Sequence, residues 1–391
     1  MAAHILVVDD EPDLELLIRQ RFRRQIRNDE LRFVFARNGV EALQRLQENR
    51  DVDVVLTDIN MPEMDGLTLL LKLNDLQRLL KAIIVSAYGD MENIRTAMNR
   101  GAADFLTKPI DFRDLEITVE KTLKQLEELR RAMREHDQLL AIRHELDVAR
   151  DIQQAILPQT FPPFPGRRDF ELFAAMIPAR EVGGDFYDFF LIDDDRLGFV
   201  IGDVSGKGIP AAIFMAMSRT LLKSTALGGL APGECLERVN RLLCADNSAE
   251  MFVTIFYGIL DTRSGHIDYG NGGHHPPYLL RGAGALEPLA GTGGLVLGIF
   301  ENVRYATHQA RLQPGDGVVL YTDGATEAMD GDGNLFGDRR LRALLGTRNG
   351  AAPEEIIRSL VAAVQGYAAG APQSDDITAL AIRYMGARRT G

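Results

Sequence analysis

Apolar and polar positions divide the chain into three stretches with different rhythms. In the first, short apolar runs alternate with helical spacing. Ile5–Val8, Arg32–Ala36, Val52–Thr57, Ala82–Ser86 and Asp104–Thr107 read as strands. Between them apolar residues recur every three or four positions, at Leu14, Leu17, Ile18 and Phe22, then across Gly39–Gln47 and Leu67–Leu73. Five strands interleaved with helices predict an α/β domain with a parallel sheet covered on both faces. In such sheets chemistry collects at the carboxyl ends of the strands.

The second stretch, from about Leu115 to Ile156, contains no Gly or Pro and is dominated by Glu, Arg, Lys, Gln and Leu. Leu115, Val119, Thr122, Leu126, Leu129 and Met133 fall at 4-3-4-3-4 spacing, the signature of a heptad seam. The phase slips before Leu139, Ile142, Leu146 and Ala149 continue it, and such a slip locally over- or under-winds a seam. A parallel two-stranded coiled coil is the preferred reading, because so narrow a seam would otherwise face water. One long solvated helix on the domain surface is the alternative.

Pro158 ends this helix and Phe161–Gly166 reads as a linker. Strand-like runs then dominate: Phe170–Met176, Arg196–Val204, Met251–Leu260, His266–Asn271, Tyr278–Leu280, Val303–Ala310, Gly317–Thr322 and Ile377–Tyr384. Helical segments are expected at Pro210–Leu227, Pro232–Asp246 and Pro353–Ala368. This pattern predicts an α+β sandwich of sheets with flanking helices. The expected organisation is therefore three parts: residues 1–120, a helical coiled-coil linker at 115–157, and 158–391.

Composition narrows the function. With 44 basic and 56 acidic residues the net charge is −12, which argues against nucleic-acid or anionic-membrane binding. No apolar run approaches the roughly 18–20 residues of a membrane span. The start runs straight into a strand and does not resemble a signal peptide. Cys235 and Cys244 suggest neither a disulfide framework nor a zinc pattern, so both are expected to be small packed residues in a reducing cytoplasm.

Five candidate residues of the first stretch stand at or just after strand ends: Asp9, Asp10, Asp58, Ser86 and Lys108. Three carboxylates on one rim repel unless a hard divalent cation sits among them. Lys108 adds a point charge suited to a phosphoryl oxygen. A nucleophilic carboxylate, Mg²⁺ and a cationic clamp are what phosphoryl transfer to an aspartate needs. The pieces Val8-Asp9-Asp10-Glu11, Thr57-Asp58-Ile59-Asn60-Met61-Pro62 with Gly66, Val85-Ser86-Ala87 and Phe105-Leu106-Thr107-Lys108-Pro109 resemble the receiver domains of bacterial response regulators. That resemblance implies a flavodoxin-like five-stranded domain with Asp58 as phosphoacceptor. It implies Mg²⁺ on Asp10, Asp58 and the Asn60 carbonyl, with Asp9 assisting through water. It also implies Ser86 and Phe105 as a switch pair and a cis Lys108–Pro109 bond.

Four further acids lie in Gly-rich settings: Gly183-Gly184-Asp185, Gly202-Asp203-Val204-Ser205-Gly206, Thr322-Asp323-Gly324 and Ser374-Asp375-Asp376. Isolated carboxylates at strand ends, with no neighbouring His or Cys, suit Mg²⁺ or Mn²⁺ rather than zinc. Two such ions can activate a shared water against a phosphate ester. Gly183-Gly184-Asp185-Phe186 is not a diguanylate-cyclase signature, since Phe186 replaces an acid. Gly202–Gly208 is too short for a phosphate-binding loop and lacks Ser or Thr after Lys207. His274-His275-Pro276-Pro277 reads as a packed turn or the rim of a substrate site, with a metal role left open. Together with Ala149–Pro158, Gly273–Pro277, Leu297-Gly298-Ile299 and Leu335-Phe336-Gly337, these motifs are similar to the PPM family of metal-dependent Ser/Thr phosphatases in its SpoIIE-like branch. By that resemblance Asp203 bridges two Mn²⁺ or Mg²⁺ ions, the Val204 carbonyl binds one, and Asp185, Asp323 and Asp375 complete the ligands. No protein general acid is assigned.

Joined, the parts imply a cytoplasmic response regulator with phosphatase output and a homodimer formed through the coiled coil. A sensor histidine kinase or other phosphodonor would modify Asp58. The substrate class implied by the resemblance is a phosphorylated anti-sigma-factor antagonist. A non-catalytic adaptor gripping a sigma factor or its antagonist is the alternative. A transcription factor is disfavoured by the acidic charge and by the lack of a helix-turn-helix after the receiver.

Overall fold

The computed structural model describes residues 2–76, 78–87, 90–245, 247–282, 284–291 and 293–387. The chain divides into two compact units, Met1–Ile142 and Arg143–Gly391.

In the first unit five strands, β1 (Ala3–Val8), β2 (Leu31–Ala36), β3 (Val52–Asp58), β4 (Lys81–Ala87) and β5 (Asp104–Lys108), pair in parallel in the order β2-β1-β3-β4-β5. This is the flavodoxin-like doubly wound order, whose direction reverses between β1 and β3. The strands are apolar because both sheet faces are covered. On one face Leu6, Val8, Val55 and Ile84 pack with α3 (Gly39–Glu48), α4 (Gly66–Asn74) and α5 (Met91–Asn99), which follow α1 (Pro12–Arg21) and the short α2 (Arg23–Arg27). On the other face Ile5, Val7, Leu56 and Val85 pack against Leu14 and Ile18 of α1 and against Leu115 and Val119. Asn38 and Asp65 cap α3 and α4 by accepting from the N–H groups of Glu41 and Thr68.

Residues Phe112–Ile156 form one 45-residue helix, α6. Its first turns correct the expected seam. Leu115 and Val119 pack into the core of the first unit, and Thr122 and Leu126 are buried as well, Leu126 to 1% exposure, so these are not free coiled-coil positions. Arg130 extends this packing by donating to Asp53 Oδ1 at 2.6 Å and to the Leu79 carbonyl. The heptad spacing survives because a helix lying on a sheet also buries one stripe per turn. The apolar stripe is exposed only further along, at Leu129, Met133, Leu139 and Ile142.

The second unit holds two antiparallel five-stranded sheets. One has the order β13-β10-β9-β8-β7, built from β7 (Phe186–Leu191), β8 (Arg196–Val204), β9 (Val253–Asp261), β10 (His266–Gly272) and β13 (His308–Arg311). The other has the order β12-β11-β14-β15-β6, built from β6 (Phe170–Ile177), β11 (Tyr278–Leu280), β12 (Leu286–Pro288), β14 (Gly317–Tyr321) and β15 (Ile377–Tyr384). The sheets share a core that takes Phe199, Ile201, Phe256 and Tyr269 from one and Val318, Leu320, Leu380 and Ile382 from the other. The alternate residues Val319, Tyr321, Ala379 and Ala381 face a separate layer formed by α9 (Gly337–Gly346) and α10 (Pro353–Ala368). The helices α7 (Ile209–Ala226) and α8 (Pro232–Ala245) join the first core through Met215, Leu222, Leu236 and Val239.

The α+β sandwich is as expected, with differences in detail. β7, β12 and α9 were not legible, and the expected strand Val303–Ala310 is regular only from His308. The expected end of α8 at Asp246 lies outside the described residues. Both cysteines are free, and Cys235 is buried. Among the described residues no helix is long and apolar enough to cross a membrane.

The packing of α6 makes a direct prediction. Leu126→Ala should cost the first unit about 2–5 kcal/mol of stability in urea denaturation, as for other buried leucines. Leu139→Ala, on the exposed stripe, should change it by no more than about 0.5 kcal/mol.

Two carboxylate clusters as candidate functional sites

In the first unit the reversal of strand order brings the ends of β1 and β3 side by side. Asp9, Asp10 and Asp58 then present ligand atoms that all lie within 4.8 Å of one another. Asp9 and Asp58 are buried and Asp10 is exposed. Lys108, at the end of β5, places Nζ 2.7 Å from Asp58 Oδ2 and 3.0 Å from both Asp9 Oδ2 and Glu11 Oε1. Burial disfavours the Lys108 charge, yet the three carboxylates hold its pKa above the usual lysine range. Burial pushes the Asp9 carboxyl up, against an N–H from Glu11 and the charge of Lys108. Asn60 donates its N–H to Asp58 Oδ1 at 3.4 Å. Ser86 is buried on β4, 3.4 Å from Asp90 Oδ2, while Phe105 on β5 is 38% exposed. The Lys108–Pro109 bond is cis.

In the second unit the four acids come from different strand ends. Asp203 lies near the end of β8, Asp323 follows β14, Asp375 precedes β15 and Asp185 precedes β7. The structure brings them together. Asp185 is fully buried and hydrogen-bonded to Asp203 through its carboxyl group, and its Oδ2 accepts from Thr322 Oγ1 at 2.7 Å. Burial, then the charges of Asp203 and Asp376, push the Asp185 carboxyl well above its usual range. Burial and the charge of Asp323 push Asp203 up to about 7. Asp323 is raised as well, by burial and by Asp375. Asp375 meets Lys207 Nζ at 2.9 Å, and that ammonium also donates to the Ser374 carbonyl.

Sequence reasoning did not find the role of Asp376. It is buried and accepts from the N–H groups of Ala179 at 2.8 Å and Gly184 at 2.7 Å, holding the Asp185 loop against β15. This close fit explains two glycines. A Cβ on Gly183 would lie 2.3 Å from Asp376 Oδ2, and one on Gly184 would lie 2.9 Å from the Val204 carbonyl oxygen. The same approach sets the Val204 carbonyl beside Asp185, where it could serve as a ligand. Gln153 of α6 grips the loop from its other side, donating to the Gly183 carbonyl at 2.6 Å and accepting its N–H at 3.0 Å. Asp188 belongs elsewhere, since it is buried beneath Arg219 and Lys223 of α7. His274 is packed inside and His275 is exposed.

Both clusters fit hard divalent cations. Their donors are all oxygen, and the carboxyls of Asp185, Asp203 and Asp323 are raised by burial and by neighbouring carboxylates, a crowding that a cation would relieve.

Residues 5–120 match the family described as response regulator receiver domain, and residues 193–385 match the family described as stage II sporulation protein E (SpoIIE). Protein IcfG of Synechocystis is 35% identical over 61% of this chain and 41% of its own length. Phosphoserine phosphatase RsbU of Bacillus subtilis is 31% identical over 52% of this chain and 61% of its own. The chain thus spans only about two fifths to three fifths of these curated relatives. The SiaA-PP2C domain of Pseudomonas aeruginosa superposes with a TM-score of 0.57 at 26% identity, covering 63% of this chain and 98% of that one.

The raised carboxyls predict a pH dependence. Folded metal-free protein binds the Asp203 proton more tightly than the unfolded chain, so this group's contribution is full below its ordinary value of 3.8 and is lost as pH rises through about 7. The melting temperature of metal-free protein should fall over that interval. Asp203→Asn should flatten the fall, and Mn²⁺ should reverse it in the wild type only.

Proposed function

We propose that this chain, which joins a response-regulator receiver domain to a SpoIIE-type phosphatase domain of the PPM class, is a protein-serine/threonine phosphatase controlled by phosphorylation of Asp58. The observation that carries the reading is the convergence of Asp185, which is buried, with Asp203 and Asp323, which are half-buried, and among the described residues no lysine or arginine is ion-paired with Asp185 or Asp203. Phosphatases of this family use Mg²⁺ or Mn²⁺. Here Asp203 would bridge two ions, with Asp185, Asp323, Asp375 and the Val204 carbonyl around them. Such a pair supplies a water of lowered pKa and a clamp for the phosphate oxygens. The chain's own residues set the stage. Thr322 orients Asp185, Asp376 fixes the loop that carries it, and Lys207 holds Asp375. The substrate we assign is a phosphorylated anti-sigma-factor antagonist. Support comes from RsbU and RsbP of Bacillus subtilis, both phosphoserine phosphatases. A non-catalytic adaptor would have no use for this gathering of acids.

In the receiver, Asp58 would accept the phosphoryl group from a histidine kinase or another donor. Mg²⁺ would be held by Asp10, Asp58 and Asn60, with Asp9 assisting through water and Lys108 meeting the new charge. Ser86 and Phe105 would report the change. The route to the phosphatase is α6. It supplies Leu115 and Val119 to the receiver core, and Gln153 to the Asp185 loop. Between these ends its exposed leucines and isoleucine offer a seam for a second copy.

Two outcomes follow. Asp203→Ala should lower Mn²⁺-dependent hydrolysis of a phosphoserine protein by more than about a thousandfold, roughly 4 kcal/mol of transition-state stabilisation, with an unchanged circular dichroism spectrum. Near-wild-type turnover would refute the site. Asp58→Ala should keep basal turnover but lose any response to beryllofluoride. In the wild type, equal rates with and without beryllofluoride across a range of Mn²⁺ would discard the coupling. Leu139→Glu with Ile142→Glu should convert a dimer to a monomer in light scattering, and a persisting dimer would move the interface elsewhere.

A further inference from the structure

One buried group outside the carboxylate cluster joins the two sheets of the second unit. His274 follows β10 and is 4% exposed. Its Nδ1 lies 2.8 Å from Thr254 Oγ1, and its Nε2 lies 3.1 Å from the Tyr321 carbonyl oxygen. A carbonyl oxygen only accepts, so Nε2 carries the proton and Nδ1 accepts from the Thr254 hydroxyl. Burial pushes this imidazole down to about 3, which keeps it neutral at physiological pH. Asn271 fixes the main chain on which the ring stands: its Oδ1 accepts the His274 N–H at 2.7 Å and its Nδ2 donates to the His274 carbonyl at 2.8 Å.

The two partners of the ring are not arbitrary. Thr254 is the β9 residue paired with Asp203 in the β8–β9 ladder. Tyr321 ends β14, followed by Thr322, which holds Asp185, and then by Asp323. A single side chain therefore spans from the sheet that carries Asp203 to the sheet that carries Asp323. Like charges at these two positions push apart, and a neutral brace with one donor and one acceptor opposes that without adding charge of its own.

We propose that His274 is a positioning residue that sets the separation of Asp203 from Asp323, and through it the affinity of the site for divalent cations. The proposal rests on the carboxylate site described above. It differs from a ligand role for this histidine, since both ring nitrogens are already engaged by protein atoms.

The test is Mn²⁺ binding by isothermal titration calorimetry on the full chain, in a background of Asp10→Asn to weaken the receiver cluster, with metal-free melting temperatures recorded alongside. His274→Leu fills the space but removes both hydrogen bonds, and should raise the Mn²⁺ dissociation constant at least about tenfold, on the scale of one or two buried hydrogen bonds. His274→Gln can donate to Tyr321 and accept from Thr254, and should return the constant to within about threefold of wild type. Thr254→Val removes one bond at nearly constant volume and should raise it about threefold or more. Wild-type affinity in His274→Leu, or a Gln variant no better than Leu, would overturn the proposal. Should the Leu variant not fold, unchanged affinity in Thr254→Val overturns it equally. A background protein that binds no Mn²⁺ in its second unit would instead defeat the reading of the site itself, and this proposal with it.

Discussion

Carboxylates crowded at strand ends and taken out of water repel one another, and something of opposite sign must balance them. Both units of this chain are organised around that constraint, but they meet it differently. In the receiver, Lys108 reaches from β5 to Asp58, Asp9 and Glu11, so part of the counter-charge is internal. In the second unit Lys207 pairs with Asp375, at the rim of the cluster, and also donates to the Ser374 carbonyl. Asp185, Asp203 and Asp323 are left with raised carboxyls and with hydroxyl and carboxyl hydrogen bonds as their means of relief. On the proposed reading, the second site would depend more strongly on cations from solution.

The two architectures deliver their acids by different means. A parallel sheet puts every carboxyl end on one rim, so a single reversal of strand order suffices to bring Asp9, Asp10 and Asp58 together. In antiparallel sheets strand ends alternate, so the sandwich must bring together ends from two sheets. This demands close backbone approach, and Gly183 and Gly184 leave room for Asp376 and the Val204 carbonyl. It also demands cross-links between layers, of which Asp376 with its backbone N–H partners is one.

Much of this was legible in the amino-acid order. The receiver strands are short, largely apolar runs, two of which, β1 and β3, lead into acids, and their limits agree with the structure within a residue or two. The sandwich strands that alternate between two cores, such as β14 and β15, were equally clear. β7 was hidden because Phe186–Leu191 is nearly all apolar and follows directly on Gly183-Gly184-Asp185, a turn that drew attention as chemistry. The early heptads of α6 misled because burial on a sheet and burial in a coiled coil share a period, so Leu126 was expected in a seam and lies in a core. The roles of Asp376 and His274 were not legible at all. Their partners are backbone groups, or side chains on strands distant in sequence, and no local pattern marks such pairings.

The most direct test of the paired-cation claim is anomalous scattering at the manganese edge from a crystal grown with Mn²⁺. Two peaks among Asp185, Asp203, Asp323 and Asp375, with Asp203 between them, are the predicted result. A single peak confined to the receiver, with the second cleft occupied by water alone, would contradict it.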